Sequence, residues 1–317
     1  MNILLVIRGG YSLDDDNNVF LSDGTKAIYK DILVLELGKN LKNQHDVKVS
    51  TLVNIAEKKD PINFLNQYDL VIKFSLRDTF IHTTKGCVFK NSNAKILFFE
   101  SPVLERNPFK KLKYQKYVRV MINENFGNNN FIKKYYTNSS RFENLNIKLK
   151  SWTKSKGKIL IINQLAGDSA IDPINPYDWL EDSIIKIRKI TSKKILIRDH
   201  PQQLENDKKN MKNILKKYDV NLSKNKKIED DLIKSEVCVT FSSGSAIDSL
   251  IAGVPVIATD KRSFAYEICE NKLENILKIN KQDRTKLLGA MANIHWELKE
   301  IQNMKFWEFF FQLLFKK

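Results

Sequence analysis

The sequence predicts an α/β protein built of two Rossmann-like, doubly wound domains that face a cleft. Short apolar runs of strand length alternate with stretches of helical spacing through both halves of the chain, the pattern that winds a parallel sheet. Several of those runs stop at polar or Gly/Pro-bearing turns, where such sheets carry their ligands. The length, 317 residues, suits two domains of common size.

In the first half, Asn2 to Ile7 reads as a strand followed by a Gly9-Gly10 turn. Thr25 to Leu41 places Ile28, Ile32, Leu33, Leu35, Leu37 and Leu41 at helical spacing. Val47 to Leu52, Leu70 to Phe74, Lys95 to Phe99 and Tyr117 to Ile122 read as further strands. The stretch from Asn123 to Lys150 is polar and weakly periodic. In the second half, strands are expected at Lys158 to Asn163, Lys194 to Arg198, Val220 to Leu222, Glu236 to Phe241 and Val254 to Thr259. Helices are expected at Tyr177 to Thr191, Leu204 to Tyr218, Ile228 to Lys234 and Ala246 to Ala252, with a helical remainder. The domains are placed at 1–150 and 151–300. An aromatic helix at 301–317 is expected to pack back on the first domain.

Composition narrows the function classes. Apolar residues make up 42% and charged residues 28%, which excludes disorder, collagen and a coiled-coil rod. Lys and Arg number 53 against 37 Asp and Glu, a net charge of +16, so an anionic partner is a natural expectation. The lysines are dispersed in short groups, no nucleic-acid motif accompanies them, and a solvated surface is the favoured explanation. Cys87, Cys238 and Cys269 are far apart and show no metal-ligand spacing. No secretory leader or spanning segment is legible, so a cytoplasmic protein is expected. Trp307 to Phe315, flanked by Lys305 and Lys316-Lys317, offers peripheral contact with an anionic inner-membrane face as the alternative to burial.

Four segments could carry chemistry. Val237 to Asp260 runs from an apolar strand into Ser242-Ser243-Gly244-Ser245, opens a helix and returns through Gly253 and Pro255. Main-chain N–H groups and serine hydroxyls at such a turn suit an anion, and they equally suit an ordinary helix cap. Ile195 to Gln202 delivers Arg198 and His200 at alternate positions, and Pro201 then ends the ladder. Arg198 could pair with phosphate and His200 could donate to it. Ile161 to Ala170 places Gln164 and Asp168 in a loop after a strand. Asp168 there is a candidate base or nucleophile, or part of an Asx-type turn. Phe98 to Arg106 ends a strand at Glu100, a second candidate carboxylate.

The order Glu-Ser-Pro, Gln-x(3)-Asp-Ser, Arg-x-His-Pro and Ser-Ser-Gly with Ala-Gly-Val-Pro-Val resembles bacterial polysaccharide glycosyltransferases of GT-B fold. More narrowly, it is similar to the capsule and lipopolysaccharide β-Kdo transferases over Lys95 to Glu267. The resemblance implies that His200, Pro201, Ser242, Ser243 and Gly244 hold the nucleotide-sugar donor and that Asp248 lies at its ribose. It implies Asp168 at the anomeric carbon and a metal-independent reaction without a resident cofactor.

The expected function is transfer of a sugar, with CMP-Kdo the leading donor, to a glycan or lipid-linked acceptor in surface polysaccharide synthesis. Asp168 and Glu100 are the expected catalytic carboxylates. Gln164, Arg198, His200, Pro201, Ser242 to Ser245 and Asp248 are the expected donor contacts. No nucleic-acid partner is expected. The alternatives are a nonhydrolysing nucleotide-sugar epimerase of the same fold and a basic, non-enzymatic nucleic-acid- or membrane-binding protein.

Overall fold

The structure is a computed structural model that describes all residues except 8–10, 14–18, 22–28, 75–87, 108–109, 124–125, 138–139, 154–156, 169, 204, 302 and 316–317. The Gly9-Gly10 turn, the Asp14 to Asp16 run, Cys87, Ser169 and Lys316-Lys317 lie outside the described residues. The chain forms two compact units, Met1–Asn125 with Ile294–Lys317 and Phe126–Asn293.

The first unit contains, in chain order, β1 (Asn2–Ile7), β2 (Tyr11–Leu13), β3 (Val19–Leu21), α1 (Tyr29–Leu41), β4 (Asp46–Thr51), α2 (Leu52–Ala56), α3 (Pro61–Leu65), β5 (Leu70–Phe74), α4 (Val88–Asn91), β6 (Lys95–Glu100) and β7 (Val118–Ile122). The second contains α5 (Phe131–Tyr135), α6 (Ser140–Asn144), β8 (Lys158–Ile162), α7 (Pro176–Arg188), β9 (Ile195–Arg198), α8 (Glu205–Tyr218), β10 (Asn221–Leu222), α9 (Ile228–Leu232), β11 (Ser235–Thr240), α10 (Ser245–Ile251), β12 (Val256–Ala258) and α11 (Thr285–Asn293). The chain then rejoins the first unit as β13 (His295–Trp296), α12 (Leu298–Ile301) and α13 (Met304–Phe315).

The first sheet has the order β13-β7-β6-β5-β1-β4. Its strands β4, β1, β5 and β6 are parallel, whereas β7 is antiparallel to both neighbours. A parallel partner needs a long crossover, usually a helix. Residues 101–117 offer only the short 3₁₀ turn Leu112–Tyr114 among those described. The central strands are largely apolar on both faces because both are covered, with Lys73 of β5 buried against the Phe89 ring at 4.2 Å. Ile3, Leu5 and Ile7 of β1 pack with Leu33, Leu37, Phe306 and Phe310. The alternate residues Leu4 and Val6 pack with Ile55, Leu65 and Phe89.

The aromatic stretch near the C-terminus is core. Phe306 and Phe310 are buried in α13, and Trp296 meets the Phe306 ring edge-on at 5.1 Å. Lys95 Nζ donates to the Leu314 carbonyl near the end of that helix. No described helix is long and apolar enough to cross a membrane.

The second sheet is wholly parallel, with the order β10-β9-β8-β11-β12. The units divide at 125/126 and 293/294, whereas the sequence pattern places the lines at 150/151 and 300/301. Polar residues 126–150 hide three buried aromatics, Phe131, Tyr135 and Phe142. They are tied into the second unit by the Phe131–Phe264 ring contact at 5.1 Å. Arg141 adds a bond to the Ala292 carbonyl at 2.9 Å. Gly253 turns the chain out of α10 with a φ of +77°. A Cβ there would lie 2.0 Å from the Ser151 carbonyl oxygen, so no other residue fits the turn.

Candidate functional site

In a doubly wound sheet, ligands sit outside the carboxyl ends of the strands where the winding reverses. The second unit winds from β8 outward through β9 to β10, then returns to β11 on the other side of β8. The crevice between the ends of β8 and β11 is therefore the candidate site. In the first unit the reversal falls between β1 and β5, and the chain leaving both strands there lies outside the described residues.

The strands that converge on the crevice are apolar until their last residue and then turn polar. β8 hands over to Asn163 and Gln164, β9 to Asp199 and His200, and β11 to Phe241 and Ser242. Gln164 is the hub. Its Oε1 accepts the Ser242 N–H at 2.8 Å, bridging the two strands that flank the crevice. Its carbonyl accepts Gln203 Nε2 at 3.3 Å. Ser242 Oγ donates to the Ala170 carbonyl at 2.6 Å and so pins the loop that carries Asp168. Gln203 Nε2 also donates to Asp199 Oδ1 at 2.7 Å. Three segments singled out in the sequence are thus joined in one hydrogen-bonded network.

The individual residues take different parts in it. Gln164 and Ser242 are buried and fully engaged, so they form the floor of the crevice, and Ser242 is not an open hydroxyl. Above them Ser243, Gly244 and Ser245 are half-buried. Ser243 Oγ accepts the Ser245 N–H at 3.2 Å, and the Gly244 N–H has no acceptor among the described residues. His200 is half-buried, and its Nδ1 accepts the Gln202 N–H at 3.2 Å. That bond leaves the proton of a neutral ring on Nε2. Pro201 is exposed and directly follows. Asp168 is half-buried in a tight turn next to Gly167, whose φ is +72°. Its Oδ1 accepts the Ala170 N–H at 2.8 Å, the Asx-type arrangement. Asp248 is half-buried in the first turn of α10, where a carboxylate suits the helix dipole.

Arg198 departs from its expected role. Its guanidinium pairs with the wholly buried Asp231 carboxylate at 2.5 Å. It also donates to the carbonyls of Asn225 at 3.0 Å and Lys226 at 2.8 Å. Alternation along β9 puts Arg198 and His200 on one face, but a long side chain can fold away, and this one braces the loop after β10. Arg262 lies beside the Ser242 turn, 5.0 Å from the Phe241 ring centre, where it pairs with Asp260 at 2.8 Å and donates to the Asp172 carbonyl at 2.7 Å. Nothing in Asp-Lys-Arg-Ser-Phe marks it in the sequence.

Asp199 was also passed over. Its Oδ1 accepts Asn163 Nδ2 at 3.1 Å, Gln203 Nε2 at 2.7 Å and the His200 N–H at 3.0 Å. Burial pushes its carboxyl above the ordinary 3.8, against the pull of those three donors, and Asp207 adds to the rise. The same surroundings raise the Tyr177 phenol, through burial first and then Asp199 and Asp207. The Cys238 thiol, pushed up to about 12 by burial, is an inert core residue.

Glu100 belongs to the first unit. It ends β6 opposite Arg119 of β7, and its Oε2 accepts the Ser101 N–H at 3.1 Å. Just beyond, the buried His295 of β13 accepts the N–H groups of Val103 at 2.8 Å and Leu104 at 3.2 Å on Nε2. The segment after Glu100 is therefore fixed by a residue that follows it by at least 191 positions in the chain. No group of three or more His, Cys, Asp or Glu among the described residues is arranged to hold a metal ion.

The Thermosulfurimonas dismutans KpsC β-Kdo 2,7 transferase superposes with a TM-score of 0.51 at 12% identity, covering 99% of each chain. The fold is GT-B-like. The KpsC β-Kdo 2,4 transferase of the same organism gives 0.48 at 11% identity over 85% of this chain and 95% of that one. A Methanocaldococcus jannaschii UDP-GlcNAc 2-epimerase gives 0.33 at 12% identity over 91% and 98%. The sequence matches no protein-family model and no curated protein.

Proposed function

We propose that the chain is a glycosyltransferase that takes its sugar from a nucleotide donor seated in the crevice of the second unit. The observation that carries this reading is the Gln164-centred network. It gathers the Asp168 loop, the His200 turn and the Ser242 turn at the winding reversal of a GT-B-like sheet. Transfer breaks the bond between the anomeric carbon and the phosphate oxygen, so negative charge grows on the departing phosphate. Donors already fixed in place stabilise that charge without reorganising. In this reading they are the Gly244 N–H, the Ser243 and Ser245 hydroxyls and His200 Nε2–H. Positive character develops on the sugar, where the Asp168 carboxylate stabilises it or attacks the carbon. Glu100 remains the candidate carboxylate for the acceptor hydroxyl. CMP-Kdo is the leading donor, a glycan or lipid-linked glycan the acceptor, and surface polysaccharide synthesis the setting.

The test is a thermal-shift panel of CMP, UDP, GDP and ADP, followed by mass spectrometry of products formed from CMP-Kdo with and without glycan acceptors. A nucleotide at 100 times its dissociation constant adds about 2.7 kcal/mol of stability, so a binder is visible. A shift with one nucleotide that is reduced in His200→Ala supports the reading. No shift with any of the four overturns it.

A further inference from the structure

We propose that Asp199 is the positioning residue of the donor site, holding the end of β8 and the His200 turn in one arrangement through a single carboxylate oxygen. This inference rests on the transferase reading above and deepens it.

The argument begins with where the donors come from. Asn163 Nδ2 arrives from the end of β8, the His200 N–H from the turn after β9, and Gln203 Nε2 from just before α8. All three meet on Oδ1, and no described group donates to Oδ2. The remaining bonds of the turn depend on that anchor. The Gln203 N–H bonds the His200 carbonyl at 3.3 Å, and the Gln202 N–H bonds His200 Nδ1 at 3.2 Å. Together they fix both the backbone of His200 and which ring nitrogen carries the proton. Gln203 passes the constraint to the Gln164 carbonyl, and Gln164 in turn holds the Ser242 N–H. Asp199 is thus two side chains away from the Ser243–Gly244 turn.

A role in the fold alone explains this poorly. An ionisable carboxyl with Tyr177 and the buried Asp207 nearby is an expensive way to accept three hydrogen bonds. The nearby amide and phenol oxygens Asn163 Oδ1, Gln203 Oε1 and Tyr177 Oη are themselves buried and accept no bond from described residues. A stability-driven sequence would place an amide at 199, whose N–H₂ could satisfy one of them. The carboxylate arrangement is understandable if what it secures is the setting of the neighbouring imidazole.

The test compares Asp199→Ala, Asp199→Asn and His200→Ala with the wild type. Nucleotide affinity is measured by calorimetry with whichever of CMP, UDP, GDP or ADP binds, at a temperature where circular dichroism shows every variant folded. Long-range ¹⁵N–¹H correlation of the His200 ring reports its tautomer. In the wild type the ring should show an unprotonated Nδ1. Loss of the charged acceptor in Asp199→Ala should weaken binding about 10-fold or more and average the tautomer signature. Asp199→Asn, which keeps an acceptor at Oδ1, should restore most of the affinity and the signature. Affinity in folded Asp199→Ala within threefold of wild type, with an unchanged ring, overturns the positioning role. If His200→Ala is weakened in the same experiment, the transferase reading survives. A wild type that binds none of the four nucleotides removes both.

Discussion

Arg198 provides the sharpest discrimination between a ligand-gripping and a bracing cation. The perturbation is Arg198→Ala. In the structure the Asp231 carboxylate is wholly buried and takes Arg198 Nη1 at 2.5 Å, with the Ser223 hydroxyl and Asn225 amide as neutral partners. Removing the arginine leaves a buried charge with neutral partners only, a change that costs about 3–5 kcal/mol. Three further carbonyls, of Asn225, Lys226 and Lys227, lose their donor and become open to water. For a unit of this size each kcal/mol is worth about 2–4 °C, so Tm should fall by about 6–20 °C. The assay is thermal and urea unfolding followed by circular dichroism, with nucleotide affinity measured in parallel below the transition. The double variant Arg198→Met/Asp231→Leu should recover much of the loss, since an apolar pair avoids the stranded charge. A Tm within about 2 °C of wild type would refute the bracing role. Weakened nucleotide binding beside it would restore the phosphate-gripping expectation.

Further outcomes concern both units. Asp168→Asn should bind nucleotide within threefold of wild type and lose turnover in the product assay. A normal rate would make Asp168 a turn residue only. Phe310→Ala empties a site at 0% exposure in the first unit and should cost about 3–5 kcal/mol in denaturant unfolding. The carboxyl of Asp199 lies above its unfolded value of 3.8, so the folded state binds the extra proton between the two values. Its contribution is fully present below the unfolded value and lost as pH rises through the folded one. The Tm advantage of Asp199→Asn over wild type should therefore be largest near pH 7 and shrink on acidification. A pH-independent difference would contradict the assigned burial.

The parts of the fold that could be read in the sequence are those where one physical signal dominates. Ile3 to Ile7 and Ile159 to Ile162 are short apolar runs bounded by polar residues, the composition of strands covered on both sides. Gly253-Val254-Pro255 marked the return from a helix to a strand, and Gly253 has the positive φ that such a return needs. The fold was opaque where elements are too short for a period to form. β13 is two residues long, and α5 and α6 are single short helices whose aromatics are spaced among lysines and asparagines. Their placement is decided by partners remote in the chain, such as Arg119 opposite His295.

The site was legible at the level of segments and less so at the level of side chains. Gln164, Ser242 and the His200 turn do meet, because all three follow parallel strands of one sheet. Asp199 falls between Arg198 and His200, on the opposite face by strand alternation, and was passed over among the cleft-facing residues. A carboxylate at an inward position just past the end of a buried strand is itself a signal, since it must find donors there. Arg198 misled for the opposite reason. Its Cα position was right, but its guanidinium reaches the carbonyls of residues 225–227, and no periodicity encodes where a long flexible side chain finishes.

The path of the chain imposes an order on biosynthesis. The N-terminal unit is interrupted after residue 125 and resumes only at 294, with the whole second unit translated in between. While the ribosome completes that insert, the face of the first sheet that later receives Phe306, Trp307 and Phe310 has only α1 to cover it among the described residues. A nascent chain in that condition is a substrate for chaperones and a hazard for self-association. Vectorial maturation should therefore run in reverse, with the central unit folding autonomously and the amino-terminal unit last. Stop codons between residues 294 and 304 would then yield insoluble products even though every strand of the second unit is present.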